Sequence, residues 1–572
     1  MRILSHVSLA DPHAHLVEVE TTIVSDEALP SPLVLFMPVW TPGSYLVREY
    51  ARHVEGMRSP THAVRKVRKN AWSVSHEGAR EVTVRYRVYC NDLTVRTNHV
   101  DATHAYLNGA CTFLAVEGRT DVPTEVSFGM PAGWRVATAL PPAARENAYG
   151  AKDLDTLVDS PIELGLFRSA SVTCAGVEHA FAIWPPDAIN DANLHRLLEG
   201  TKTIVETEAK LLGGGLPHGG YTFILHFSPK GRGGLEHRDS TTLLAAPTAF
   251  DTRDGFLDLL SLVAHEYFHL WNVKRLRPEG LSPYRYEEEN YTRLLWWFEG
   301  ATSYFDWRVL RLAKLCTETE YLDHLAAELG YLEQTPGRLV HSLEEASFDA
   351  WIKLYRPDEN SPNSTVSYYR KGELVCALLD LEMRVRTSDA RCLDDVLRHL
   401  WATYGKDERP VPEHAMQQIF EDVAGVAMGD LFEAWIRGTA DVDAASTLAK
   451  VGLVIESTKR EGASLGLKAR DAGGKTTVAA VLRGSAAQRA GVDAGDELLA
   501  IGDRRVETAA SMESALALFR AGDRTTVLVA RDGKTRPLEV TLDAAPAGRA
   551  KLVQKKDATD AERALYRAWI GD

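Results

Sequence analysis

Paired cysteines are missing from this 572-residue sequence: Cys90, Cys111, Cys174, Cys316, Cys376 and Cys392 are scattered and form no C-x-x-C pair. That excludes a disulfide framework and a cysteine zinc site, and predicts mostly buried free thiols. Long apolar runs are missing too. None approaches the roughly 20 residues needed to span a bilayer. The first residues, Met1 to His6, pass quickly into alternating polar sequence, so no secretory leader is expected. A cytoplasmic setting follows, or a periplasmic one if a leader has been trimmed. Positive charge is in deficit, with a net charge of −14, which argues against nucleic acid or an acidic membrane as main partner. There is no internal repeat and no low-complexity tract. Apolar and charged fractions of 45% and 25% are those of an ordinary globular protein. A chain this long exceeds one hydrophobic core, so three or four domains are expected.

The hydrophobic period changes along the chain. Residues 1–170 hold short alternating runs such as Val17–Ile23 and Val82–Val88, with turn formers between them, as in Thr41-Pro42-Gly43-Ser44. Period-2 alternation of that kind predicts an antiparallel, sandwich-like β domain. Residues 171–448 read as one α+β domain: a helix over 191–212, a strand over 221–227, a sheet lobe to about 250 and a helical lobe after it. Residues 449–545 return to strands with glycines at turns and one amphipathic segment at Met512–Phe519. The tail, 546–572, holds a candidate short helix over Asp557–Trp569.

The most informative segment is His265-Glu266-Tyr267-Phe268-His269. With 19 histidines in the chain, H-E-x-x-H arises by chance in roughly one such chain in twenty, so context decides. On a helix, Phe256, Leu259, Leu260, Val263, Ala264, Tyr267 and Leu270 form one apolar stripe. His265 and His269 stand one above the other on nearly the opposite side, at ligand spacing, with a glutamate beside the first. Zinc bound there by two imidazoles and a third ligand would hold a water in its fourth position and lower that water's pKa towards about 7. Glu266, turned about 100° from His265, would reach that water as general base and carry the proton to the leaving amine. For the third ligand, Glu299 in the aromatic, helical segment Leu294–Trp307 is favoured, because a carboxylate there is expensive unless paired or metal-bound. Glu287, Glu288 and Glu289 compete, but as a charge run they read as a solvated loop.

The stretch His265–Arg275, followed by Trp297-Phe298-Glu299-Gly300, resembles the glycyl aminopeptidase family of PDZ-containing zinc peptidases, which are gluzincins with a thermolysin-like catalytic domain. Trp40-Thr41-Pro42-Gly43-Ser44-Tyr45 with Arg48 resembles that family's N-terminal β domain. The resemblance implies one Zn²⁺ per chain on His265, His269 and Glu299. Gly233-Gly234-Leu235-Glu236-His237 is similar to the gluzincin segment whose glutamate binds a substrate's free α-amino group. By itself Glu236 reads equally as a surface acid on a glycine-rich loop. Tyr369-Arg370-Lys371-Gly372 is similar to the Y-x-K-G segment of the large alanyl and leucyl aminopeptidases, where the tyrosine donates to the oxyanion of the tetrahedral intermediate. Tyr368 is the neighbour with which it could be confused, and either ring could simply pack in the helical lobe. The 30 positions from His269 to Glu299 exceed the interval in that larger family. The excess holds Pro278, Gly280, Pro283 and the acidic run, so it reads as a loop between helices.

Ser464-Leu465-Gly466-Leu467, Gly484-Ser485-Ala486-Ala487, Ala490-Gly491-Val492, Ala494-Gly495-Asp496 and Ile501-Gly502 are similar to PDZ domains of bacterial proteases. Ser464 to Leu467 would be the loop that holds a peptide's terminal carboxylate. Packing against the catalytic domain is an equal alternative to peptide capture. The expectation is therefore a zinc aminopeptidase with a preference for N-terminal Gly and Ala, the preference being implied by the resemblance. A zinc endopeptidase, with Glu236 incidental, and a non-catalytic PDZ scaffold on a relic peptidase fold are the rivals.

Overall fold

The computed structural model describes residues 1–229, 231–458 and 462–571. Two compact units form. The first comprises Met1–Thr292, Phe305–Cys316 and Leu397–Ala415; the second comprises Arg293–Tyr304, Thr317–Val396 and Met416–Asp572.

The first unit begins with the β-rich domain that the alternation predicts. Along Glu81–Tyr89 the side chains of Val82, Val84, Tyr86 and Val88 are buried while those between point outward, so one face makes core and the other meets water. This strand lies in a six-stranded sheet ordered 148–151, 124–129, 2–8, 16–24, 81–89 and 54–58. One pairing corrects the expectation of a wholly antiparallel domain: Arg2–Ser8 runs parallel to Thr124–Gly129. Alternation reports which face is buried, and both pairing directions share it.

A five-stranded sheet follows, in the order Arg168–Cys174, Val177–Trp184, Tyr221–Phe227, Ser240–Ala245 and Gly233–Glu236. Its central strands pair in parallel and are buried on both faces, which explains the near-continuous apolar run of Tyr221–Phe227. Gly233–Glu236 is the antiparallel edge strand. Glu163, fully buried in the N-terminal region, is 2.9 Å from His104 Nδ1 and 2.9 Å from His226 Nε2 on the central strand. Two imidazole N–H groups thereby satisfy a carboxylate that would otherwise be costly to bury. Helix Arg253–Phe268 packs under the sheet, capped at its start by the Thr252 hydroxyl accepting from the Gly255 N–H at 3.0 Å.

The second unit is helical and ends in the PDZ fold. Its central helix, Arg370–Arg386, is buried over most of its length. Buried Asp380 accepts the Tyr304 hydroxyl at 2.6 Å and the Leu393 N–H at 2.9 Å. The Trp569 indole in turn donates to the Tyr304 hydroxyl at 3.1 Å, which docks the C-terminal helix Asp560–Ile570. The PDZ sheet runs 467–472, 475–481, 497–501, 524–531 and 534–541 over a core that includes Leu465, Val478, Ile501 and Val529. Strand Leu453–Ser457 leads into it and pairs with Ala550–Gln554 on the way out, so the tail contributes a strand as well as the expected helix. Asn363 donates to the Val481 carbonyl and accepts from the Arg483 N–H, both at 2.8 Å, holding the PDZ fold to the helical lobe.

Candidate active site

His265, Glu266 and His269 lie where the Arg253–Phe268 helix ends. The helix stops two residues before Leu270, the last member of the apolar stripe, with His269 as its C-cap in helical geometry. The two rings remain one turn apart, 4.7 Å between centroids. Each has its Nδ1 engaged: His265 on Asp306 Oδ2 at 3.0 Å, and His269 on the Asn272 carbonyl at 2.8 Å. A carboxylate or carbonyl at Nδ1 places the ring proton there and the lone pair on Nε2, the tautomer that a metal ligand requires. The Asn272 carbonyl is held by an unusual backbone. Val273, a β-branched residue, stands at φ +130, a strained conformation of the kind that concentrates at functional sites.

Glu299 is buried, as the sequence argument demands, but the segment around it is not one helix. Leu295–Phe298 and Gly300–Leu312 are separate, and Glu299 caps the first at φ −111 and ψ −47. His265 and His269 in the first unit and Glu299 in the second are the residues that offer ligands to a metal. Two imidazoles and one carboxylate form the N₂O set of a catalytic zinc site, so the residues present fit the metal. Asp306 was not anticipated from sequence. It follows Glu299 by seven positions in the same aromatic segment, inside the helix Gly300–Leu312 that Glu299 immediately precedes. The reasoning that singled out Glu299 applies equally to it.

Glu236 lies at the end of the edge strand with 3% of its surface exposed, which rules out the surface-acid reading. Donor atoms of Glu236, Glu266 and His269 fall within 4.8 Å of one another. Its Oε1 has no hydrogen-bond partner among the described residues. Gly233 and Gly234 belong to the strand itself and not to a loop. Gly234 faces Glu266 so closely that a Cβ there would overlap the glutamate's Oε1, Cδ and Cγ. That close approach is why a strand position carries glycine.

Tyr369 immediately precedes helix Arg370–Arg386. This helix and the one starting at Gly300 touch backbone to backbone: a Cβ on Gly300 would lie 2.6 Å from both the Gly372 Cα and the Tyr368 carbonyl oxygen. The glycines after Glu299 and in Tyr-x-Lys-Gly therefore exist to let the two segments meet. Burial first, then the Glu299 and Tyr355 side chains, push the Tyr369 hydroxyl well above its usual range, so it stays a donor at neutral pH. Tyr368 is fully buried, whereas Tyr369 is half-buried. Both rings feel the Glu299 carboxylate, and of the two only Tyr369 is partly open to solvent.

In the PDZ fold, Ser464 Oγ accepts the Gly466 N–H at 3.0 Å and the Leu465 carbonyl accepts the Ala487 N–H at 2.8 Å, so the predicted carboxylate loop is internally braced. A groove of about 560 Å³ lies beside it, lined by Ser464, Gly466, Leu467, Leu516, Tyr331 and Pro336 among others.

Family comparison agrees with this anatomy. Residues 5–166 match the peptidase M61 N-terminal domain, residues 258–375 the M61 glycyl aminopeptidase domain, and residues 463–542 the PDZ domain. No curated protein matches the sequence. Among solved structures, an aminopeptidase N family protein from Idiomarina loihiensis is 30% identical, with 99% of this chain and all of that one covered and a TM-score of 0.92. The M1 zinc metallopeptidase from Deinococcus radiodurans is 15% identical over 77% of this chain and 94% of its own, but at a TM-score of 0.47 it adds nothing to the assignment. An end-to-end relative and three family domains in the expected order show that the chain belongs to the M61 glycyl aminopeptidase family, and that it is a hydrolase of peptide bonds.

Proposed function

We propose that the protein removes N-terminal residues, small ones such as Gly and Ala, from peptides with a free amine, using one zinc ion on His265, His269 and Glu299. When bound there, zinc supplies a Lewis acid for the scissile carbonyl and acidifies a water towards neutrality. Glu266 takes the proton from the attacking water and passes it to the leaving amine. Tyr369 donates its hydroxyl hydrogen to the oxygen on which negative charge develops. Glu236 pairs with the substrate's α-ammonium.

The observation that carries this reading is Glu236: a buried carboxylate with an unpartnered oxygen, clustered with Glu266 and His269 within 4.8 Å. An ammonium held there puts the first peptide bond, and no later one, beside the general base. The test is turnover of Gly- and Ala-p-nitroanilide by wild type and by Glu266→Ala. Turnover that disappears in the variant supports the reading. Equal cleavage of N-acetylated peptides would establish an endopeptidase instead, and less than about one zinc per purified chain would favour the scaffold. For the PDZ fold, the groove beside Ser464–Leu467 supports capture of a peptide C-terminus, which is read by titration with a fluorescent peptide and its C-terminal amide.

A further inference from the structure

The carboxylate of Glu236 is not shaped by the peptidase sheet alone. Thr41 to Ser44 form a turn closed by the Ser44 N–H on the Thr41 carbonyl at 3.1 Å, with Pro42 second and Gly43 third at φ +84. This is a type II turn, whose third position favours glycine for its positive φ. Gly43 meets a second and independent demand. A Cβ there would lie 2.5 Å from Glu236 Oε1 and 2.6 Å from its Cδ. The turn of the N-terminal domain thus packs so close to the Glu236 carboxylate that no side chain fits between them, and Oε1 of that carboxylate has no hydrogen-bond partner among the described residues.

A second N-terminal residue bears on the same carboxylate. Lys274 is wholly buried and forms an ion pair with Asp159 Oδ1 at 2.6 Å, off-axis for a hydrogen bond. Asp159 follows the short helix Leu154–Val158 and also accepts the Arg238 N–H at 2.9 Å and meets His237 Nδ1 at 3.1 Å. Burial disfavours the Lys274 charge; Asp159 favours it most, then Tyr284, then Glu236. Two carboxylates therefore share the field of one buried ammonium, and Asp159 is the one that holds it. A buried cation freed from Asp159 has Glu236 as its remaining carboxylate partner.

We propose that the N-terminal β domain is a working part of amine recognition, in which Gly43 and Asp159 are positioning residues that keep the Glu236 carboxylate available to the primary ammonium of a substrate. Gly43 does so by leaving room, Asp159 by retaining Lys274. The inference rests on the reading of Glu236 as the amine anchor.

The test uses the full-length, zinc-loaded protein with Ala-p-nitroanilide and four variants: Glu236→Gln, Gly43→Ala, Asp159→Asn, and Asp159→Asn combined with Lys274→Met. Gly43→Ala and Asp159→Asn are expected to raise KM about tenfold or more, with kcat and zinc content within about threefold of wild type. In the double variant KM returns to within about threefold of wild type, because the competing cation is gone. A purely structural role for Asp159 predicts no such rescue. If Gly43→Ala does not fold, the Asp159 and Lys274 pair decides alone. Glu236→Gln with raised KM, beside Gly43→Ala and Asp159→Asn at wild-type KM, overturns this inference and leaves the amine anchor standing. So does an Asp159→Asn defect that Lys274→Met does not repair. Glu236→Gln without effect on KM overturns both.

Discussion

Replacing Gly234 with alanine perturbs the proposed general base without touching it chemically. A Cβ at this edge-strand position would overlap Oε1, Cδ and Cγ of Glu266. Carbon and oxygen atoms rest in contact at about 3.5 Å, so the carboxylate must retreat by about 1 Å or more, or the strand must move away. Glu266 cannot absorb this by swinging into solvent, since it is only 6% exposed and sits on a helix packed beneath the sheet. A displacement of about 1 Å at a reacting group costs on the order of a hundredfold in rate, or about 2.7 kcal/mol of barrier. Gly234→Ala is therefore expected to lower kcat on Ala-p-nitroanilide about a hundredfold, while zinc content by mass spectrometry and the far-ultraviolet circular dichroism spectrum stay as in wild type. A variant within about threefold of wild-type kcat would refute the assignment of Glu266 as a base fixed from that side. A variant that loses its zinc would show that the strand, not the glutamate, had given way.

Three further expectations concern other parts of the molecule. Asp306→Asn leaves the shape of the His265 contact but weakens the acceptor at Nδ1, and is expected to reduce zinc affinity 10- to 100-fold in a chelator competition. Tyr369→Phe should lower kcat by about a hundredfold with little change in KM, while Tyr368→Phe should not, and equal losses would mean that the two rings act by packing. Lys371 is buried, its Nζ has no hydrogen-bond partner among the described residues, and burial pushes it down from 10.5 to about 8. Between those values the unfolded chain binds the extra proton, so this group makes stability rise with pH across that window; below about 8 the lysine is charged in both states and its full burial cost remains. Lys371→Met should therefore raise Tm by several degrees at pH 7.5 and by less at pH 10; a gain that is the same at both would refute the assignment.

The residues most legible in the sequence were those standing where a polar group is expensive. His265 and His269 fall off an apolar stripe, and Glu299 interrupts an aromatic run; each invites a ligand before any fold is known. The break in the helix at Glu299 was not legible, because a periodicity cannot separate one helix from two joined by a single distorted residue. Nor was the Asn272 carbonyl, which has no side chain to advertise it. The Pro42-Gly43 turn was evident as a turn, yet its partner Glu236 lies far along the chain, and no local pattern announces a contact at that separation. The parallel pairing of Arg2–Ser8 with Thr124–Gly129 escaped for a related reason: alternation shows which side chains face inward and not which strand lies alongside.

The helix beginning at Gly300 behaves as a ruler. Glu299 stands immediately before it and Asp306 two turns along, so the proposed third ligand and the group that accepts from His265 are separated by a length of chain that cannot stretch. A single residue inserted between them would rotate one against the other by about 100° and spoil two functions at once. The 30 positions from His269 to Glu299 carry no such constraint. Their turns and acidic loop can lengthen or shorten while the histidines and the glutamate stay where they are. Relatives of this protein should therefore vary freely in the first interval and hardly at all in the second, and a graft of new sequence for altered specificity belongs in the former.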